Sequence, residues 1–382
     1  MAEDLFNRLK ATDLETLTAV VRQDQHSPEF KITNWAVEPL SNKGFGGSEG
    51  QFRFYGQGRP SAGEAESSWS VILKVQRKHE EELPPSHYFY WKRELLAAQS
   101  QWLDRLPGPV KAPRFYRAVE EAGFAWLWME HVHDATSQPW TLKEYTFAAN
   151  QLGEWHADYL TGIPQPNDPW LCKDHLRGWL GQHTPEEGWD DPKFSAHFSN
   201  ETRTRHRELW ADLESFLSAL NHLPQVFSHF DFQRRNLFIR KAKNQQDELV
   251  AIDWALCGKG SIGSDLYHLV GISSLFFDFE QERVRELDAA TFAAYLAGLR
   301  NAGWTGDVNQ VRLGYCIWGA AYSGTLAPVV TAFFTSEAGR ATALQSFGVA
   351  GEELLYKWSL IIDYCLDCAD EARLLMKKLG VV

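Results

Sequence analysis

The stretch VFSHFDFQRRNLFIR, Val226 to Arg240, sets Asp231 two places after His229 and five before Asn236, with apolar residues on both sides. Burying a carboxylate, an imidazole and an amide without partners is costly, so these groups either satisfy one another or are completed by something else. A second apolar run, ELVAID, follows a polar turn around Asn244 to Asp247 and ends in Asp253. Two such runs joined by a short polar turn predict a hairpin that carries the His-x-Asp-x-x-x-x-Asn pattern beside Asp253. Each half is common by itself. The order and spacing of the two together are specific, against the bland alternative that both aspartates cap turns.

Reading outward toward the N-terminus, ITNWAVEPL, GQFRFYGQG and SWSVILKVQ alternate like strands, and GRPSAGEAES reads as an exposed hairpin loop. Residues 86–104, SHYFYWKRELLAAQSQWLD, have helical spacing with Ser86 as N-cap, and two further strands flank Glu120 to Gly123. Toward the C-terminus, TLKEYTFAANQLGEWHADYLTG, RTRHRELWADLESFLSALNHL and most of residues 281–382 repeat apolar residues at helical spacing. The pattern predicts an α+β chain. A small antiparallel β lobe with a leading helix and one main helix covers residues 1–130, and a larger, mainly helical lobe covers residues 131–382.

Bulk composition narrows the function. A formal net charge of −12 disfavours a nucleic-acid binder, which needs a basic surface to displace counterions. The N-terminus lacks the basic start and apolar run of a secretory signal, and no apolar stretch, GTLAPVVTAFF included, approaches the roughly 20 residues of a membrane helix. A soluble cytoplasmic protein is therefore expected. Five scattered cysteines fit reduced thiols, and Cys365 and Cys368, although spaced as CxxC, sit in a helical pattern as small core residues.

A β lobe, a helical lobe and a hairpin joining two acidic motifs suit a nucleoside triphosphate held in the cleft between lobes. Phosphoryl transfer asks for a cation on the phosphates, magnesium ligands, and a carboxylate near the attacking hydroxyl. Asp231 supplies that carboxylate, while Asn236 and Asp253 offer oxygens to Mg2+. Lys74, on the same strand face as Ile72 and Gln76, either snorkels to solvent or meets an anion, and Glu94 on the following helix can pair with it. In LSNKGFGGSEG, the backbone at Gly46, Gly47 and Ser48 can approach phosphate oxygens, although the same residues also make an ordinary hairpin turn. At the lobe boundary, LWMEHV places Glu130 and Val132 where backbone groups can bond an adenine.

Taken in order, VILKVQ, WKRELLAAQ, LWMEHV, HFDFQRRNLF and AIDWALCGKGSIGSDLYHL resemble the aminoglycoside phosphotransferase and choline kinase group, over roughly residues 35–330. The resemblance implies a bilobal protein-kinase-like fold and an ATP- and Mg2+-dependent small-molecule kinase with a hydroxyl acceptor. It makes Asp231 the catalytic base, Asn236 and Asp253 metal ligands, and Lys74 a phosphate ligand. Asp265 braces the catalytic loop, and His229 orients it. Two departures stand out: Phe230 occupies a position that is often glycine in the family, and Arg234 and Arg235 fall inside the loop, where they either touch substrate or pair with acidic neighbours. The short interval from Asp253 to Asp265 leaves no room for a protein kinase's activation loop. A non-catalytic pseudokinase would have lost one of Lys74, Asp231, Asn236 or Asp253, and all four are present. The acceptor is a small hydroxylated molecule, with a cationic one suggested by the acidic residues around Trp189 and by Asp278 and Glu280; a solvated loop is the plainer reading.

Overall fold

The computed structural model describes Leu9 and residues 13–40, 48–61, 64–79, 81–136, 138–181, 183–184, 187–242 and 244–381. The chain divides into two compact units, one of residues 1–85, 89–106 and 111–134, the other of residues 86–88, 107–110 and 135–382.

In the first unit α1 (Leu14–Asp24) precedes an antiparallel sheet of β1 (Lys31–Pro39), β2 (Ser48–Arg59), β3 (Ser67–Arg77), β4 (Phe115–Glu121) and β5 (Phe124–Glu130), in the order β1-β2-β3-β5-β4. The central strand β3 is buried on both faces. Val71, Leu73 and Val75 join Phe54, Trp128 and the α1 residues Leu17 and Val20 in one core. Ile72 turns to the opposite face with Leu127, Met129 and Leu95 of α2 (Arg93–Gln99). Because side chains alternate along a strand, Lys74 and Gln76 share that second face with Ile72. The β4–β5 turn is made by Ala122 and Gly123, both at positive φ, the geometry a two-residue hairpin favours.

The expected helix over residues 86–104 is confined to Arg93–Gln99. Residues 86–88 belong instead to the second unit, where Tyr88 is 2% exposed and packs edge-on against Trp179. Ring burial there outweighs the local helical spacing.

The second unit is mainly helical. α3 (Leu142–Leu160) lies against α5 (Val284–Asn301), and α4 (Asn200–Leu220), α6 (Val308–Trp318) and α7 (Glu352–Leu379) complete its core. α3 opens on a capping box in which Thr141 and Glu144 satisfy the first turn reciprocally. Two antiparallel pairings interrupt the helices: β6 (Gln225–Ser228) with β9 (Gly258–Ser261), and, between them in sequence, the hairpin of β7 (Leu237–Lys241) with β8 (Asp247–Ala251). Cys365 and Cys368 are buried free thiols on α7. One helical run, Val308–Thr335, is long and apolar enough to cross a membrane by length and composition, contrary to expectation, and 72% of its most apolar window is buried inside the fold.

Candidate active site

β6 delivers the chain into the loop 229–233, a single 3-10 turn at Arg234–Asn236 follows, and β7 carries it away. The loop is pinned from below by Asp265. Its Oδ2 accepts the His229 N–H at 2.8 Å and its Oδ1 accepts the Phe230 N–H at 2.8 Å. Phe230 holds φ at +61°, which aims its N–H inward while its ring stacks on Trp318 at 5.2 Å.

Asp265 is itself fully buried, and His156 Nε2 on α3 lies 3.4 Å from its Oδ2. Burial alone would raise this carboxyl's pKa, but contact with His156 and the nearby His268 and His229 rings outweigh it and hold the group below its ordinary value. His156 Nδ1 meets the Tyr295 hydroxyl of α5 at 2.7 Å. With Nε2–H turned to the carboxylate, Nδ1 is the acceptor of that bond. Loop, α3 and α5 are thereby tied through one carboxylate.

Both ring nitrogens of His229 are engaged within the fold. Its Nδ1 accepts the Asp231 N–H at 3.2 Å, which leaves Nε2–H to donate to the Ile252 carbonyl at 3.0 Å. The ring therefore spans the loop and the residue before Asp253. Asn236 donates through Nδ2 to Asp231 Oδ2 at 2.7 Å and to the Asp231 carbonyl at 3.0 Å. Both of its N–H groups are thus spent on Asp231, and Oδ1 is the side-chain atom left to face a cation. Asp253 follows β8 at φ +64°, half-buried, where the Asn236 carbonyl accepts the neighbouring Ile252 N–H at 2.9 Å.

The loop arginines are structural partners. Arg235 pairs with Asp278 at 2.9 Å and donates to the Phe276 carbonyl at 2.7 Å. Arg234 donates to the Leu237 carbonyl at 2.7 Å, with its guanidinium 4.0 Å above the Trp140 ring. Asp278 is thus engaged by the loop, which argues against its reading as an acceptor ligand. Trp189 is 2% exposed and packs on Phe194, Phe198 and His206, so it is a core residue and does not line a groove.

In the first unit Lys74 Nζ lies 2.7 Å from Glu94 Oε2, with side chains 6% and 1% exposed. Gln76 Nε2 also donates to Glu94 Oε2, at 2.7 Å. Glu94 therefore gathers both polar side chains that β3 turns toward α2. At the end of β5, the Glu130 N–H is committed to the Arg114 carbonyl at 2.8 Å, and Arg114 N–H returns to Glu130 Oε2 at 3.2 Å. The N–H of Glu130 is thus taken. Val132, 7% exposed, makes no backbone hydrogen bond among the described residues. Gly46 and Gly47 lie outside the described residues, and Ser48 opens β2 opposite Gln76.

Three participants escaped sequence reasoning: Gln76, His156 and Tyr295. Gln76 stands two residues from Lys74 on the same face, a signal that was present. His156 and Tyr295 lie in amphipathic helices, where a lone polar ring reads as an ordinary core residue.

No cluster of three or more His, Cys, Asp or Glu side chains suited to a metal occurs among the described residues. Mg2+ does not require one, because it binds through one or two carboxylates together with waters and phosphate oxygens. Asp253 with the amide oxygen of Asn236 is a donor set of that kind.

The sequence matches the phosphotransferase enzyme family over residues 65–305. No curated protein matches it. Among solved structures, a microcompartment-associated aminopropanol kinase aligns at 14% identity over 94% of this chain and 99% of that one, with a TM-score of 0.54. The choline kinase of Cryptosporidium parvum Iowa II aligns at 14% identity over 97% and 98%, also with a TM-score of 0.54. At these identities the likeness is one of fold, and the α+β, protein-kinase-like architecture expected from the sequence is the one found.

Proposed function

The chain belongs to the phosphotransferase enzyme family, and from that membership we infer that it moves the γ-phosphoryl group of ATP to a hydroxyl of a small molecule: an amino sugar, an aminoglycoside, a sugar or an amino alcohol. The observation that carries this reading is the Asp231 carboxylate, held at 2.7 Å by Asn236 on a loop whose two N–H groups are fixed by Asp265.

Such transfer needs little covalent help from the protein, and the work is positioning and charge neutralisation. Asp231 orients the acceptor hydroxyl and takes its proton. Asn236 keeps the carboxylate in place and presents Oδ1, with Asp253, to Mg2+. When bound, the metal neutralises charge on the phosphate oxygens. Lys74, steadied by Glu94, binds the α- and β-phosphates, and the Val132 peptide bonds the adenine edge. The ordinary glycine-turn contribution would come from Gly46, Gly47 and Ser48.

ADP release with Mg-ATP, measured over amino alcohols, amino sugars, aminoglycosides and nucleosides, tests the reading. Acceptor-dependent turnover in the wild type should fall by about 10²- to 10⁴-fold in Asp231→Asn, the usual scale of a lost general base. Undiminished turnover in that variant, or failure of the wild type to bind Mg-ATP, would overturn it.

A further inference from the structure

Two π-helical turns interrupt the second unit, His268–Ile272 and Gly319–Gly324. Each widens the helix by one residue and re-aims its side chains, and turns of this kind concentrate at functional sites. Here they bring Tyr322 and His268 ring to ring at 5.2 Å. Tyr322 is further held by Trp179, stacked at 4.7 Å and 11°, and by His175 and Trp318 at 5.8 and 6.0 Å. Those two rings also contact Phe230, His175 at 5.0 Å and Trp318 at 5.2 Å. Tyr322 therefore stands one ring away from the residue that precedes Asp231.

Rings on both sides occupy the faces of Tyr322, so the group it can offer is the hydroxyl at its edge. Burial, then the charge of Asp231, then Tyr88 push the phenol well above its ordinary pKa, so it stays a neutral donor at any working pH. Tyr322 is half-buried, and among the described residues its hydroxyl makes no hydrogen bond and is not among the polar atoms sealed from solvent, so it is open to a bound molecule.

We propose that Tyr322 is a positioning residue for the acceptor, its hydroxyl donating a hydrogen bond to the oxygen of the acceptor hydroxyl whose proton faces Asp231. The inference rests on the phosphotransferase reading. In the transfer the acceptor O–H bond breaks and its proton passes to Asp231, while the freed oxygen bonds to the γ-phosphorus. The bridging P–O bond breaks to leave ADP. Tyr322 keeps its own proton throughout and fixes which lone pair of the acceptor oxygen points at phosphorus.

The test compares wild type, Tyr322→Phe, Tyr322→Leu and Asp231→Asn, with ethanolamine as acceptor probe and with water as acceptor in basal Mg-ATP hydrolysis. Tyr322→Phe keeps the ring stack, so its melting temperature and KM for Mg-ATP should match the wild type while turnover to either acceptor falls on the order of 10-fold, the scale of one lost hydrogen bond. Tyr322→Leu should lose melting temperature as well. Wild-type turnover in Tyr322→Phe, with Asp231→Asn inactive, overturns the proposal and leaves the phosphotransferase reading standing. A Tyr322→Phe protein that loses melting temperature and Mg-ATP affinity together with turnover also overturns it, since the ring would then be merely structural. Full activity in Asp231→Asn, or no turnover of either acceptor by the wild type, overturns both.

Discussion

At Phe230 the chain accepts a left-handed backbone, φ +61°, on a residue with a β-carbon, at a cost of about 1–2 kcal/mol. The compensation is local. The N–H reaches Asp265, and the ring, 2% exposed, lies flat on Trp318. Gly260 makes the room, because a β-carbon there would fall 2.7 Å from Phe230 Cε1 and 2.6 Å from Ser228 Oγ. Phe230→Gly should therefore relieve about 1–2 kcal/mol of backbone strain and forfeit about 3–5 kcal/mol of ring burial. The expected net is a loss of about 1–4 kcal/mol, seen as a lower urea midpoint with unchanged slope; an unmoved midpoint would mean that the ring's burial contributes no more than the strain it offsets. A glycine-to-phenylalanine departure was visible in the sequence, but the positive φ behind it was not. His229, Asp231, Asn236 and Asp253 were legible because their spacing survives in one dimension. Tyr322 was not, since the ring stack that brings it to the loop is assembled from Tyr88, His175 and Trp318, far apart in the chain.

Between elements, the contact that supports the loop most directly is α3 against α5, and it depends on two glycines. A β-carbon at Gly153 would lie 2.2 Å from the Tyr295 carbonyl, and one at Gly298 would lie 2.1 Å from the Asn150 carbonyl. Both obstacles are backbone, so neither can swing aside. Gly153→Ala should cost about 1–3 kcal/mol through overpacking, despite the better helix propensity of alanine. It should also displace Tyr295 from His156, and with it the ring beside Asp265, so turnover should fall further than nucleotide affinity. Equal loss of both, or no change in melting temperature, would separate the helix contact from the loop. These glycines carry no local signal, because a mid-helix glycine looks the same whether it opens a notch or is simply tolerated. The hairpins were legible, since strand alternation and polar turns are local features. The helix over residues 86–104 was overextended because its spacing is helical, while the burial of Tyr88 among Trp179 and His175 is a distant contact.

Across the molecule, each unit carries a histidine kept neutral, and acid should act on both. His268 is fully buried and its pKa is lowered to about 4, by burial first, against which Asp265 and the Ser264 carbonyl pull upward. His131 is lowered to about 4 by burial, His133 and Arg53, and its Nδ1 is engaged by Ser70 Oγ at 2.8 Å. In both cases the folded pKa lies below the unfolded value near 6.5, so the unfolded chain binds more protons between pH 6.5 and about 4. Stability is therefore complete above pH 6.5 and falls as the pH drops through that window. Asp265, held below its ordinary value of 3.8, keeps its contribution over this range and loses it only at lower pH. For His268 the shift corresponds to about 2 kcal/mol lost between pH 7 and pH 5 and about 3 kcal/mol in full. Urea unfolding of wild type and His268→Gln at pH 7 and pH 5 measures this. The variant, whatever its stability at pH 7, should lose about 2 kcal/mol less on acidification, because it has no imidazole to protonate in the unfolded state. An identical pH dependence in the two proteins would place the acid-sensitive group elsewhere.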